Sequence, residues 1–293
     1  MLSITLLMSL ASSAPQAPPP ERADVFAPGI VSLDTGNVFR GRFSPDEAEF
    51  YFFRKMHEDA EDYRIFVTSL EDGVWSPARR LHLGGDYSDL YPTISPDNAR
   101  MAFTSYRPVP GDTNAHPNAN LYYVDRTDTG WSAPQLMARA TVLENYDAGP
   151  TFDANGDLVW ISTTPDWRTR LRRRTRWDGR TYLAPEHDDT LEPFADWRDD
   201  LYVWDGVVSP DGDLIVLSVS SVDRQGQRGP TDLWAARRTG SGWSEPIRLG
   251  AGVNTSEDFE NFQFFSRDGR TLYFVRGFAK YYHVSVEAAM RGD

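Results

Sequence analysis

The sequence contains no cysteine and only five histidines among its 293 residues. Without cysteine the chain cannot form disulfides, thiolate nucleophiles or Cys-ligated zinc sites. The histidines are scattered and share no ligand spacing, so we expect neither a metal site nor a cofactor. A Gly-x-Ser-x-Gly segment, which would indicate a serine hydrolase, is absent as well. The sequence therefore contains no complete catalytic motif.

Positive charge is also scarce. The chain has 30 basic and 43 acidic residues, and every basic residue except Lys55 and Lys280 is arginine. The net charge of −13 repels phosphate backbones, so we expect no nucleic-acid binding. One segment departs from this balance, with seven arginines between residues 168 and 180. We interpret it as a solvated strand paired with nearby acids, with an anion-binding patch as the alternative.

No apolar run is long enough to cross a bilayer. Residues 2–10 are almost entirely apolar, but they are too few for a transmembrane helix. Small residues at positions 11–14 and a Pro-rich segment at 15–20 follow, which is typical of a cleaved secretion signal. We therefore expect residues 1–22 to be a signal peptide and Pro-rich leader of a periplasmic or secreted protein. Residues 23–293 then form a single domain that is not an integral membrane protein.

One four-residue turn recurs through the rest of the chain. Three of its five copies read Ser-Pro-Asp, and the third residue is always Asp or Asn. Proline presets φ for the first corner of a type I turn, and Asp or Asn suits the second corner. The copies begin at Ser44, Ser95, Asp153, Ser209 and Ser266. Each copy predicts a β-hairpin inside one repeat unit.

Each turn is followed by an apolar run that does not alternate with polar residues. Such a strand is buried on both faces, as in a sheet packed between two neighbouring sheets. A third strand follows in every unit, and a fourth carries an aromatic residue and then a proline, which places it at an outer edge. The pattern predicts an all-β fold, namely a five-bladed β-propeller with four antiparallel strands per blade.

The fifth unit ends after its third strand, near Val286. The N-terminal segment 25–33 has the aromatic residue and the proline of the missing fourth strand. We expect this N-terminal strand to join the last blade and close the ring, because that removes an exposed strand edge.

These units resemble the WD40-like β-propeller repeat of the TolB type. The resemblance rests on the Ser-Pro-Asp-Gly turns, on third strands such as Asp232-Leu233-Trp234, and on Gly-Trp-x-x-Pro fourth strands, and it covers residues 25 to 286. TolB itself is similar in its blades, but it has six of them and a separate N-terminal domain. The family is associated with periplasmic binding and scaffolding and with propeller domains of peptidases. The resemblance implies a fold and leaves the function open.

The candidate site lies at the entrance to the first strand of each blade. Alternating strand directions place the blade connectors and the loops between second and third strands on one face. These are the longer loops, and they include residues 106–119, 191–206 and 219–231. Binding residues concentrate on long loops of a rigid scaffold. We expect the site on this long-loop face, near the axis.

Alignment of the five turns selects the side chains. Three carboxylates lie six residues before their turns, whereas an arginine and a further carboxylate lie four residues before theirs. We expect them to meet with neighbouring aromatic rings at the mouth of the channel, with structural capping of the connectors as the alternative. The predicted site residues are Arg40, Asp89, Tyr91, Asp147, Trp204, Asp205 and Glu260, with Phe262 close by.

Two functions are open at this point. The first is an exported, monomeric propeller scaffold that binds a glycan, a small molecule or a protein partner on the long-loop face. The alternative is a glycosidase-like, carbohydrate-active enzyme in which Asp89, Asp147 and Glu260 act as axial carboxylates. Two carboxyl groups about 5–10 Å apart in an open pocket would favour hydrolysis.

The leader predicts processing during export. We expect the mature protein to begin between about residue 14 and residue 22, since signal peptidases cut after small residues. N-terminal sequencing of protein recovered from the periplasm or the medium measures the cleavage site directly. Cytoplasmic protein that retains Met1 would contradict export.

Overall fold

The computed structural model describes residues 18–57, 61–112, 118–141, 143–195, 197–256 and 259–291. In these residues, five antiparallel sheets are arranged as the blades of a β-propeller. The predicted all-β, five-bladed fold with four antiparallel strands per blade is therefore confirmed. The expected leader, residues 1–22, lies mostly outside the described residues.

The strands follow the repeat units in chain order. Strand β1 is Asp24–Val25. Blade one contains β2 to β6, which are Val38–Phe43, Glu49–Lys55, Tyr63–Glu71, Val74–Trp75 and Arg79–Arg80. Blade two contains β7 to β11, which are Asp89–Ile94, Arg100–Ser105, Asn120–Thr127, Gly130–Trp131 and Gln135–Leu136. Blade three contains β12 to β15, which are Tyr146–Phe152, Leu158–Thr163, Arg170–Thr175 and Glu186–His187.

The remaining elements complete the ring. A 3-10 turn, Glu192–Phe194, lies in the connector after blade three. Blade four contains β16 to β20, which are Leu201–Val208, Leu214–Val222, Arg228–Thr239, Gly242–Trp243 and Ile247–Arg248. Blade five contains β21 to β23, which are Glu260–Phe265, Thr271–Arg276 and Lys280–Ser285. Helix α1 is Val286–Met290.

The recurring turns owe their shape to one side-chain pair. In the first copy, the Ser44 hydroxyl donates to Asp46, and the amide of Glu49 donates to the Ser44 hydroxyl at 2.9 Å. The copies at Ser95, Ser209 and Ser266 repeat the serine–aspartate bond at 2.5–2.7 Å. Short polar side chains that bond their own backbone favour a turn over continued strand. The turn therefore joins the first and second strands of its blade.

The hydrophobic core lies between the blades. One cluster joins blades one and two through Tyr51, Phe53, Met101 and Phe103, and others join blades two and three, blades four and five, and blades five and one. A further cluster packs the connector after blade three against blade four. Because the second strand of each blade contacts a neighbouring blade on both faces, it is buried almost without interruption, as in Phe50–Phe53. The core therefore forms a ring around the axis, and the centre is left for a channel.

The N-terminal segment is attached to the last blade. Strand β1 pairs antiparallel with β23, and the amide of Phe26 donates to Tyr281 at 2.9 Å. The strand is much shorter than the predicted 25–33, because Ala27 has a positive φ of 44° and residues 27–32 form turns. Ser32 still contacts Tyr281, since its hydroxyl accepts from the Tyr281 amide at 2.9 Å.

Two predicted loops are also shorter than expected, since β16 already begins at Leu201 within the predicted loop 191–206. Residues 219–231 are mostly strand, because β17 and β18 extend to a hairpin of five residues, 223–227. In the described part of the chain, no helix has the length and apolar composition needed to span a membrane.

Phe26 anchors the N-terminal segment, so its truncation should destabilise the ring. Phe26 is 5% exposed. It contacts five rings at centroid distances of 5.2–5.8 Å, those of Phe43, Phe50, Trp75, Tyr273 and His283. Phe26→Ala should lower the free energy of unfolding by about 3–5 kcal/mol, measured by urea denaturation. Val74→Ala, at a 69% exposed position, is the control and should change it by less than about 0.5 kcal/mol. Equal unfolding midpoints for both variants would contradict an anchoring role.

Candidate functional site

A cavity of about 580 Å³ opens at the centre of the ring. All five blades contribute to its lining. Trp167 and Phe278 come from hairpins between second and third strands, and Phe259 comes from a blade connector. The cavity therefore opens on the face that the sequence analysis named the long-loop face. Its volume lies in the range of roughly 300–1,000 Å³ that is usual for sites of small organic ligands.

One position of the repeat lines the cavity in every blade. It is the residue four positions before the recurring turn, and we call it the inner position. The five inner-position residues are Arg40, Tyr91, Gly149, Asp205 and Phe262. The structure thus brings together four of the predicted site residues, because Trp204 lines the same cavity next to Asp205.

A β-bulge aims the inner position at the axis. The pairing of first and second strands shifts register in every blade, for example between Leu90 and Thr93 and between Asn261 and Phe264. In blades two, three and five the inner residue has a positive φ of 54°, 67° and 55°. A bulge places two residues opposite one and redirects a side chain. The usual alternation of side chains between the two faces of a strand therefore does not hold across the bulge.

The three remaining predicted carboxylates are separate from the cavity lining. Asp89, Asp147 and Glu260 lie two residues before the inner position and are 7%, 0% and 0% exposed. Arg107 donates to both oxygens of Asp89 at 2.9 and 3.0 Å, and Arg276 donates to Glu260 at 3.0 Å. Their surroundings match the capping alternative, because each carboxylate is buried and hydrogen-bonded inside its own blade.

Asp147 shows the same structural bonding without an arginine. Its carboxylate accepts from the Thr141 hydroxyl at 2.6 Å and from the Trp160 indole at 3.2 Å. Burial raises the pKa of Asp89 and of Glu260, and their arginine partners partly offset that effect. These carboxylates are therefore bonded within their own blades and connectors, apart from the cavity lining.

Two inner-position residues form an ion pair across the channel. Arg40 from blade one donates to Asp205 of blade four at 3.3 Å, and Arg172 of blade three donates to Asp205 at 2.8 Å. Burial opposes ionisation of Asp205, but the two arginines outweigh it and hold the pKa of this carboxyl below its usual value. Arg40 also donates to Thr151. Asp205 is therefore a charged, doubly paired group.

Gly149 makes room for this ion pair. A Cβ atom at Gly149 would lie 2.8 Å from an Arg40 guanidinium nitrogen, and its φ of +67° favours glycine in any case. Because the inner position of blade three is a glycine and has no side chain, Arg40 can reach across the channel from blade one.

Aromatic residues with left-handed backbone conformations surround the cavity. Tyr91, Trp167, Phe262 and Phe278 all have φ between 52° and 58°, and all four line the cavity. This conformation costs roughly 1–2 kcal/mol for a residue with a Cβ atom. Strained backbone of this kind is found mainly at functional sites, supported by the surrounding fold.

Trp167 is one of the cavity-lining residues that the sequence pattern did not select. It ends the turn Thr164-Pro165-Asp166-Trp167, in which the Thr164 hydroxyl donates to Asp166 at 2.6 Å. This is the recurring turn again, on the opposite face of the propeller, with tryptophan where glycine is favoured. Trp167 is 67% exposed, and its ring lies 5.4 Å from that of Tyr146. A tryptophan at a glycine position was a signal available in the sequence.

The arginine-rich segment divides between two roles. Arg172 and Arg174 pair with Asp188, and Arg174 also pairs with Asp153, which agrees with the solvated, acid-paired interpretation. Arg170 instead lines the cavity, with its guanidinium 4.9 Å from the centre of the Trp204 ring.

Arg228 contacts the same aromatic residue and its neighbour Tyr202. It lies 3.7 Å from the centre of the Tyr202 ring and 4.9 Å from that of Trp204. Among the described residues, no carboxylate lies within ion-pair distance of Arg170 or Arg228. In the part of the chain that the structure describes, the cavity lining contains three arginines and one aspartate, so these residues give the lining a net positive charge within an acidic protein.

Phenol groups complete the polar part of the cavity. Burial, together with the neighbouring Tyr91 and Tyr106, raises the pKa of Tyr146, and burial likewise raises the pKa of Tyr91. Both phenols therefore remain protonated and able to donate a hydrogen bond at neutral pH. In the described residues, no group of three or more His, Asp or Glu side chains converges in a way that would hold a metal ion.

Comparison with known proteins identifies architecture only. No protein-family model matches the chain, and no curated protein sequence matches it. Among solved structures it is similar to a TolB-type protein from Agrobacterium tumefaciens, with 17% identity, a TM-score of 0.46, and coverage of 82% of this chain and 70% of that chain. The five-bladed architecture of this chain agrees with the TolB-type resemblance of its repeats.

Two gluconolactonases are similar to a comparable degree. The periplasmic gluconolactonase of Pseudomonas aeruginosa shows 12% identity and a TM-score of 0.44 over 80% of this chain and 64% of that chain. A gluconolactonase from Xanthomonas campestris shows 10% identity and a TM-score of 0.44 over 93% of this chain and 99% of that chain. At these identities the similarity concerns the propeller fold alone.

Proposed function

We propose that this protein is an exported propeller scaffold that binds a small organic molecule or a glycan in its axial cavity. The cavity lies on a rigid ring, opens on one face, and combines aromatic walls with a few polar groups. That combination is the usual composition of a small-ligand site. The export part of the proposal depends on the leader sequence, whereas the binding part depends on the cavity.

The observation that carries the binding proposal is the placement of the strained aromatic residues. Tyr91, Trp167, Phe262 and Phe278 belong to three different blades, and each has an unfavourable φ. Nothing in ring packing requires a tryptophan at a turn that is 67% exposed. A contact with a ligand explains why a large ring occupies a position where glycine would be more stable.

The glycosidase-like alternative receives less support from the same geometry. Hydrolysis of this type needs two carboxyl groups that face one opening, one of them with a raised pKa. Among the described residues that line the cavity, Asp205 is the single carboxylate, and its pKa is lowered. The other candidates, Asp89, Asp147 and Glu260, are buried, and each accepts hydrogen bonds from its own blade or connector, although Oε2 of Glu260 has no partner among the described residues.

Trp167→Gly separates binding from stability. Glycine relieves the left-handed strain, so the free energy of unfolding should stay unchanged or rise by up to about 1 kcal/mol. The ligand is the one that binds best in a panel of aromatic acids and oligosaccharides. Loss of the tryptophan ring should weaken its binding by at least about tenfold, which corresponds to about 1.4 kcal/mol. Urea denaturation and titration calorimetry measure the two quantities.

Asp72→Gly is the matched control, because Asp72 has a similar left-handed backbone conformation, with φ of 50°, in an exposed turn on the opposite face. It should change stability in the same direction and leave ligand binding unaltered. Destabilisation by Trp167→Gly with unaltered binding would contradict the proposal, as would a panel without any ligand.

A further inference from the structure

The cavity lining is uneven around the ring, and this asymmetry carries information about the ligand. Phe259, Phe262 and Phe278 from blade five form an apolar sector. The Phe278 ring lies 5.5 Å from that of Phe259 and 6.1 Å from that of Phe262. A neighbouring sector from blades three and four contains Arg170, Arg228 and Trp204 instead. One sector therefore suits an apolar body, and the other suits an anionic group.

The cationic sector is held in place before any ligand arrives. Arg170 and Arg228 both lie 4.9 Å from the Trp204 ring, and the Trp204 indole is fixed by a 2.8 Å hydrogen bond to Ser220. Tyr202 packs against Trp204 with ring centres 4.8 Å apart and also supports Arg228. Cation–π contacts orient a guanidinium while they leave its N–H donors available.

The charge of this sector is not neutralised by the described protein groups. Asp205, the acidic group of the cavity lining, is already paired with Arg40 and Arg172. Each of these two guanidinium groups is a planar fork that can bind a carboxylate with two parallel hydrogen bonds. Several hydroxyl groups, such as those of Tyr91 and Thr231, line the same cavity.

From these contacts we propose that the ligand is a small amphiphilic organic acid, with its carboxylate at Arg170 and Arg228 and its apolar ring system against the blade-five phenylalanines. The inference rests on the proposed binding function and specifies the ligand class of the same cavity. It distinguishes the ligand from a neutral sugar, for which charged arginines would supply no selective contact.

Paired probes test the charge requirement. The carboxylate 2-naphthoate should bind the wild-type protein at least about tenfold more tightly than its neutral counterpart 2-naphthalenemethanol in titration calorimetry, because charge-assisted hydrogen bonds exceed neutral ones. In the double variant Arg170→Gln/Arg228→Gln, the Kd of 2-naphthoate should rise about 10- to 100-fold, and the alcohol should bind as before. The corresponding double lysine variant keeps the charges without the planar forks, so it should show an intermediate Kd.

Arg224→Gln is the matched control, since Arg224 is exposed in the turn between β17 and β18 and does not line the cavity. It should leave the Kd of 2-naphthoate within about twofold of wild type. A melting temperature for the double glutamine variant equal to that of Arg224→Gln shows that lost binding is not lost folding.

The outcomes separate this inference from the proposed function. Equal binding of the acid and the alcohol, or binding of neutral oligosaccharides or digalacturonate in preference to 2-naphthoate, overturns the amphiphilic acid and leaves a ligand-binding cavity. If the double glutamine variant binds 2-naphthoate with the wild-type Kd, the assignment of the carboxylate to Arg170 and Arg228 is overturned. Absence of binding by every probe overturns both proposals.

Discussion

The β-bulge in the first strand of each blade is the constraint on which the site depends. Without it, residues two apart would share one face of the strand, and the carboxylates at Asp89, Asp147 and Glu260 would point toward the axis with the inner position. The bulge redirects the chain between the two positions. It sends the carboxylates into the blade, where donors meet them, and turns the inner position to the cavity. The same local feature therefore creates both the structural bonds and the lining of the cavity.

The ring of blades makes this strained arrangement stable. Each blade is packed on both sides by its neighbours, and Phe26 ties the N-terminal segment to blades one and five through three and two aromatic contacts respectively. A fold supported in this way can tolerate aromatic residues with positive φ at a few positions. Those residues are concentrated around the central cavity. The favourable packing between blades therefore offsets the free-energy cost of their unfavourable backbone conformations.

Much of the fold could be predicted from the sequence, because its signals are local. The turn at Ser209-Pro210-Asp211-Gly212 and the apolar strand after it lie within about ten residues, and the repeat places each blade. Arg40 and Asp205 were selected because they share one offset from the turn, and Tyr91 was selected as a neighbouring aromatic residue. The buried carboxylates were misplaced because a bulge is a property of the register between two strands, which alternation in one strand does not show.

The cavity residues Arg170 and Arg228 could not be found in this way. They lie on third strands, where the repeat alignment carries no axial signal, and their position depends on contacts with Trp204 from another strand. Trp167 is different, since its turn repeats the pattern of the others with a single exceptional residue. A departure from a local rule within a repeat was thus more informative about the site than the positions that obey the rule.

The most direct test of the central claim is the isosteric variant Asp147→Asn, measured for both unfolding and ligand binding. If the bulge turns this carboxylate away from the cavity, the variant loses about 1–3 kcal/mol of stability, because the hydroxyl of Thr141 and the indole of Trp160 lose a charged acceptor. Binding of the best panel ligand should then remain unchanged at temperatures where the variant is folded. Unaltered stability together with lost binding would indicate that the carboxylate contacts the ligand, which contradicts the account.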